Sequence, residues 1–133
     1  MNTEANARFA SGCVAAGSLL MLAGVLLGAF GAHGLEGRVA PRQLASFQTG
    51  VLYQQVHALG LVLVGLVAGR TAGSSALRWS AGLMCAGIVF FCGSIYLMTA
   101  GAPRWLGMVA PIGGLSFMAA WALLAVHALR RRD

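Results

Sequence analysis

Residues 43–69 read Gln-Leu-Ala-Ser-Phe-Gln-Thr-Gly-Val-Leu-Tyr-Gln-Gln-Val-His-Ala-Leu-Gly-Leu-Val-Leu-Val-Gly-Leu-Val-Ala-Gly, without one charged side chain between Arg42 and Arg70. A hydrocarbon core about 30 Å thick is crossed by roughly 20 apolar residues at 1.5 Å per residue, so this window holds one membrane-spanning helix. The same spacing recurs outward in both directions. Uncharged windows cover 9–35 between Arg8 and Glu36, 79–103 between Arg78 and Arg104, and 105–129 between Arg104 and Arg130. The spans are placed near 9–33, 48–69, 79–100 and 105–129. No stretch remains for a soluble domain. Residues 1–133 are therefore read as a single domain, an all-α membrane protein folded as a four-transmembrane-helix bundle.

Composition agrees. The chain is 59% hydrophobic and 9% charged, with mean hydropathy +0.80, against about 25% charged residues in an average soluble domain. Such a chain cannot solvate a globular surface, which excludes a soluble enzyme and a disordered protein. Net charge +6 comes from nine arginines against three acids. They stand mostly between apolar runs, a spacing that points to a lipid bilayer as partner and not to nucleic acid.

Orientation follows from the basic residues. An even number of spans puts both termini on one side, with Arg8, Arg70, Arg78, Arg130, Arg131 and Arg132; Arg38, Arg42 and Arg104 lie opposite. The positive-inside rule then places both termini in the cytoplasm of a bacterial inner membrane. Trp79 and Trp105 fall at span ends, as interfacial aromatics do. The first window exceeds the roughly 7–15 residues of a signal-peptide core, so it is expected to stay as an uncleaved span. Pro41 suits a helix start, and Leu44, Phe47 and Val51 recur at helical spacing, so Pro41 onward is expected to run into the second span.

Lipid tails are as apolar as leucine, so such helices hold together through close approach at small residues. Gly17, Gly24, Gly28 and Gly31 form a small stripe on span one; Gly82, Ala86 and Gly93 form another on span three. These stripes predict that spans one and three lie near the bundle centre.

Polar side chains gather at one depth. Tyr53, Gln54, Gln55 and His57 lie in the first third of span two, and Tyr53 and His57 share a face at i, i+4. Ser94 and Tyr96 fall at a similar level on span three. On span four Pro111, Gly113 and Gly114 interrupt the apolar run, and Pro111 is expected to leave the Gly107 carbonyl without its helical donor. His33 and Glu36 mark the exit of span one. The cytoplasmic half offers little beyond Ser11, Ser18 and two cysteines, and His127 is expected to extend to the cytoplasm. Unpaired polar groups in hydrocarbon are costly, so the outer groups must satisfy one another or line a small cavity. An intramembrane ionisable residue is a functional candidate by default, which singles out His57; for the others, interfacial or interhelical packing is the competing role.

Several chemistries lack support. Cys13, Cys85 and Cys92 form no CxxC pair, and positions 85 and 92 are about 10 Å apart on one helix, too far for a disulfide. No ligand spacing indicates a metal, no pair of histidines at one depth indicates haem, and neither a catalytic triad nor a phosphate loop is present. No catalytic residue and no cofactor is assigned.

Four stretches carry a family resemblance: Gly28-Ala-Phe-Gly-Ala-His-Gly-Leu35, Tyr53-Gln-Gln-Val-His-Ala-Leu59, Phe91-Cys-Gly-Ser-Ile-Tyr96, and Pro111-Ile-Gly-Gly114 with Trp121 beyond it. Together they touch every span. In this order they resemble the domain-of-unknown-function 423 family, the YgdD/YwdK-like small inner-membrane proteins. The resemblance implies a four-span inner-membrane protein and carries no biochemical activity.

The expected function is a non-enzymatic binding or accessory protein. Its polar cluster in the periplasmic half (His33, Tyr53, Gln54, His57, Ser94, Tyr96, Pro111, Gly113 and Gly114) would receive a lipid, a small amphiphile or a partner membrane helix. Arg38, Arg42 and Arg104 form a rim suited to an anionic headgroup, or serve as solvated anchors. The alternative is a small transporter or pore built as a homo-oligomer.

Overall fold

The structure, a computed structural model, describes residues 2–131; Arg132 of the orientation count lies outside them. Among the described residues there is no strand. Four helices are long and apolar enough to cross a membrane: span one Thr3–Leu35, span two Pro41–Gly69, span three Ser75–Thr99 and span four Arg104–Arg130. They are built from α1 (Thr3–Phe30), α2 (Pro41–Gly69), α3 (Ser75–Gly87), α4 (Gly93–Thr99) and α5 (Ala110–Arg130). Spans one to three start several residues before the sequence placement, because polar first turns continue the helices past the apolar windows. The Asn2 side chain accepts from the Glu4 N–H at the start of α1, and Glu4 suits the positive end of that helix. At the start of α2, Pro41 lacks only a donor the first turn does not use, and Gln43 Oε1 accepts from the Ala40 N–H at 3.2 Å. The helix therefore runs unbroken through Leu44, Phe47 and Val51, with Phe47 and Val51 buried.

Two contacts tie both chain ends to the turn between spans two and three. Asn6 Nδ2 donates to the carbonyls of Ala68 at 2.8 Å and Thr71 at 3.0 Å, and His127 Nδ1 lies 3.0 Å from Ser74 Oγ. This is the terminal end of the bundle. At the far end Phe30 packs edge-on to Phe47, which packs on Tyr96. The hairpin between spans three and four turns at Gly101, whose φ of +102° is accessible to glycine and strained for other residues.

The glycine stripe of span one packs as a stripe, but against span two. A Cβ on Gly17 would lie 2.7 Å from the Ala58 carbonyl oxygen, one on Gly24 3.0 Å from Gln55, and one on Gly31 2.9 Å from Phe47. Gly65 of span two returns the contact, 2.7 Å from the Ala10 carbonyl oxygen. The expectation that spans one and three are central is corrected for span one, whose place at the centre is taken by span two. Half of the apolar window of span two is buried and 39% of that of span three, against 17% for spans one and four. Span three is central by another route than its expected stripe: Gly82 faces open space with nothing within 4 Å, and it is Gly87 that packs against the Phe117 ring of span four.

The terminal half is also less plain than expected. Ser80, fully buried, donates to the Ala120 carbonyl at 2.8 Å and joins spans three and four. His127 does not extend outward: it is buried against Ser74. Arg78 lies over the Phe9 ring at 4.7 Å. Polar contacts therefore stitch both ends of the bundle, and the expected one-sidedness holds only for the far end's greater number of aromatic and amide groups.

Candidate functional site

Because span two begins at Pro41, its polar residues lie near its middle and not in its first third as expected; there it organises a polar level through two side chains three residues apart. Gln54, 3% exposed, uses both ends of its amide. Its Nε2 donates to the Leu20 carbonyl of span one at 2.9 Å, and its Oε1 accepts from the Tyr96 hydroxyl of span three at 2.7 Å. Each protein group thus replaces the water that the bilayer interior cannot supply, and three spans are tied at one depth. Close approach makes this reach feasible: a Cβ on Gly50 would lie 3.2 Å from the Tyr96 ring.

His57 faces the other side. Its Nδ1 lies 2.6 Å from the Tyr53 carbonyl; a carbonyl only accepts, so Nδ1 carries the proton and Nε2 is left with the lone pair. The ring stacks on Phe117 of span four, centroids 3.5 Å apart and 13° from parallel, with Trp121 at 6.0 Å. Tyr53 completes the layer, 4.7 Å from Phe91 and 5.9 Å from His57. Phe91 and Phe117 themselves meet edge-on. Spans two, three and four are therefore joined by a stack of aromatic rings in which the imidazole serves as one member. Aromatic pairs of this kind contribute about 0.5–1.5 kcal/mol beyond their buried area.

Backbone irregularity sits beside that stack. Span three winds into a π-helical turn over Ile88–Cys92 between α3 and α4, and span one ends in another over Gly31–Leu35. Such turns insert an extra residue and often mark functional positions. The first presents the Phe91 backbone to Gly113 of span four, where any Cβ would collide with the Phe91 amide nitrogen. Ser94, buried just after the turn, donates to the Phe91 carbonyl at 2.9 Å within its own helix.

The remaining expected residues separate. His33 is exposed on the π-helical turn of span one and stands apart from the cluster. Pro111 is exposed in the first turn of α5. The expected interruption of span four is corrected there. Residues Arg104–Met108 form a 3₁₀ turn and α5 begins at Ala110, so Pro111 occupies a helix start where its missing N–H breaks no bond. Gly114 faces open space. Among the described residues, no three of His, Cys, Asp and Glu come together in a metal-binding group.

A cleft of about 670 Å³ opens at the far end between the first turns of α2 and the end of α4 with its hairpin. Arg42, Gln43 and Ser46 form one wall, and Met98, Thr99 and Arg104 the other. Two of the three expected rim arginines thus share a cleft; Arg38 lies outside its lining. Gln43, Ser46 and Thr99 escaped the sequence reading because nothing in it placed residues 40–46 against 95–104.

Residues 27–114 match the family described as "Protein of unknown function (DUF423)". The chain belongs to the DUF423 family. Similar relatives are the UPF0382 membrane protein YwdK of Bacillus subtilis, 40% identical over 86% of this chain and 93% of its own length, and a UPF0382 membrane protein of Staphylococcus haemolyticus, 40% identical over 86% and 92%. A UPF0382 membrane protein of Staphylococcus epidermidis is 39% identical over 86% and 92%. No solved structure matches the chain. The DUF423 match begins within span one just before its glycine-flanked exit and ends at Gly114. It therefore takes in the Gln54–Tyr96 bond, the π-helical turns, both cleft walls and the Gly113 contact.

Proposed function

We propose that this DUF423 protein is a non-enzymatic binding or accessory protein of the bacterial inner membrane, with both termini cytoplasmic and an amphiphile seated at the periplasmic end. The observation that carries this reading is the far-end cleft. It is open, has polar and apolar walls, and is framed by elements that the half-buried Gln54–Tyr96 bond holds in register. The buried cluster supports the reading as scaffold: Gln54, Ser94 and Tyr96 have their hydrogen bonds within the bundle. The excess of arginines at the terminal end supports the orientation.

A Ser46→Cys variant tests it. In intact spheroplasts a membrane-impermeant maleimide should label position 46, and native mass spectrometry from membranes should find an amphiphile on the wild type that a Ser46→Trp plug removes. Labelling only after lysis would reverse the orientation, and an adduct untouched by the plug would overturn the binding role. Solute flux that depends on His57 in liposomes would favour the small transporter instead.

A further inference from the structure

We infer that the far-end cleft recognises the headgroup of a phospholipid carrying net negative charge, its phosphodiester held between the Arg42 and Arg104 guanidinium groups; this rests on the reading of the cleft as the binding site. The hydrogen-bonding inventory is one-sided. Arg42 and Arg104 are exposed cations on facing walls, and among the described residues no acidic one lines the cleft. The Gln43 oxygen is taken by the Ala40 N–H, which leaves its amide nitrogen to donate into the opening. Ser46 adds a hydroxyl. Guanidinium groups match phosphate oxygens in geometry and bind them by charge-assisted hydrogen bonds. The polar part of the cleft thus has strong donors and no anion of its own.

Its other lining selects the source of the phosphate. Ile95, Met98 and Ala102 line the same cleft, and Thr99 turns its hydroxyl back to the Ile95 carbonyl at 2.9 Å. That side presents hydrocarbon next to the cationic donors, as a lipid carries its glycerol and first acyl carbons next to its phosphate. A free phosphate ester would gain nothing from it; a phospholipid covers both halves at once.

Native mass spectrometry of the full chain in neutral detergent, titrated with phosphatidylglycerol and phosphatidylcholine, tests the inference. Wild type should retain phosphatidylglycerol preferentially. Arg42→Gln/Arg104→Gln should lower that preference roughly 30-fold, the loss of two interfacial charge contacts, and Arg38→Gln should keep it. A double variant with undiminished preference overturns the inference. Displacement of the lipid by equimolar glycerol 3-phosphate also overturns it, by making a soluble ester the ligand. Equal retention of both lipids, each lost in Ser46→Trp, overturns the anionic headgroup and leaves the amphiphile site standing. Retention that ignores Ser46→Trp removes both.

Discussion

Gly113→Ala is expected to lower the unfolding free energy by about 3 kcal/mol, at the upper end of overpacking costs, although it adds only one methyl. The new Cβ would fall on the Phe91 amide nitrogen and within 2.7 Å of Phe91 Cβ and 2.9 Å of its Cα. Those are backbone and backbone-anchored atoms in the π-helical turn, so no side-chain rotation relieves the clash and span four must move away. Displacing it also pulls Phe117 from the His57 ring. The adjacent Gly114 supplies the control, since a Cβ there meets nothing within 4 Å. Gly114→Ala should be neutral or stabilising by up to about 1 kcal/mol, the helix-propensity difference between the two residues. Thermal unfolding in detergent separates them; equal midpoints would show that span four does not seat on the π-helical turn.

Gly17→Val should be comparably damaging, by about 3 kcal/mol on the same overpacking scale, and should act on spans one and two. Its Cβ would approach the Ala58 carbonyl oxygen and Val62 Cγ2 at 2.7 Å and the Val62 nitrogen at 3.0 Å. The Val62 side chain can rotate away, but the Ala58 carbonyl cannot. Gly82→Val carries the same β-branched helix penalty on a face with open space, so the difference between the two variants isolates the packing. Similar stability in both would mean that the span-one stripe faces lipid.

The span number and the small face of span one were legible because each rests on a local property, the distance between charges or a periodic glycine. The centrality of span two was not. Its glycines face different neighbours: Gly50 meets Tyr96 and Ile95, Gly60 meets Met84 and Trp121, and Gly65 meets Ala10. A helix surrounded on several sides distributes its small residues around its circumference, so no single stripe announces it. The meeting of Gln54 with Tyr96 was legible as polar groups on two spans, but the depth was not, since the early start of α2 shifts residues 53–57 to mid-span, nor was the exposure of Tyr53, nor were the partners. The Leu20 carbonyl has no side-chain signature, and Phe117 reads as any apolar residue. His127 misled for a related reason. A histidine one turn from Arg130 reads as interfacial, and only the return of Ser74 across the terminal end gives it a half-buried partner. Nor does the run Ile88–Cys92 carry a composition that marks a π-helical turn.

A double-mutant cycle on Gln54→Leu and Tyr96→Phe, read as unfolding free energy in a bilayer-mimicking detergent, measures most directly whether span two holds the far end together. Each single change leaves a buried partner unsatisfied and should cost about 1–3 kcal/mol. The double variant removes both orphans, so it should cost less than the sum, with a coupling of about 1 kcal/mol, within the range of interhelical hydrogen bonds in membranes. Costs that add to within about 0.3 kcal/mol would mean that the two side chains do not meet and that the far-end cleft has no buried brace.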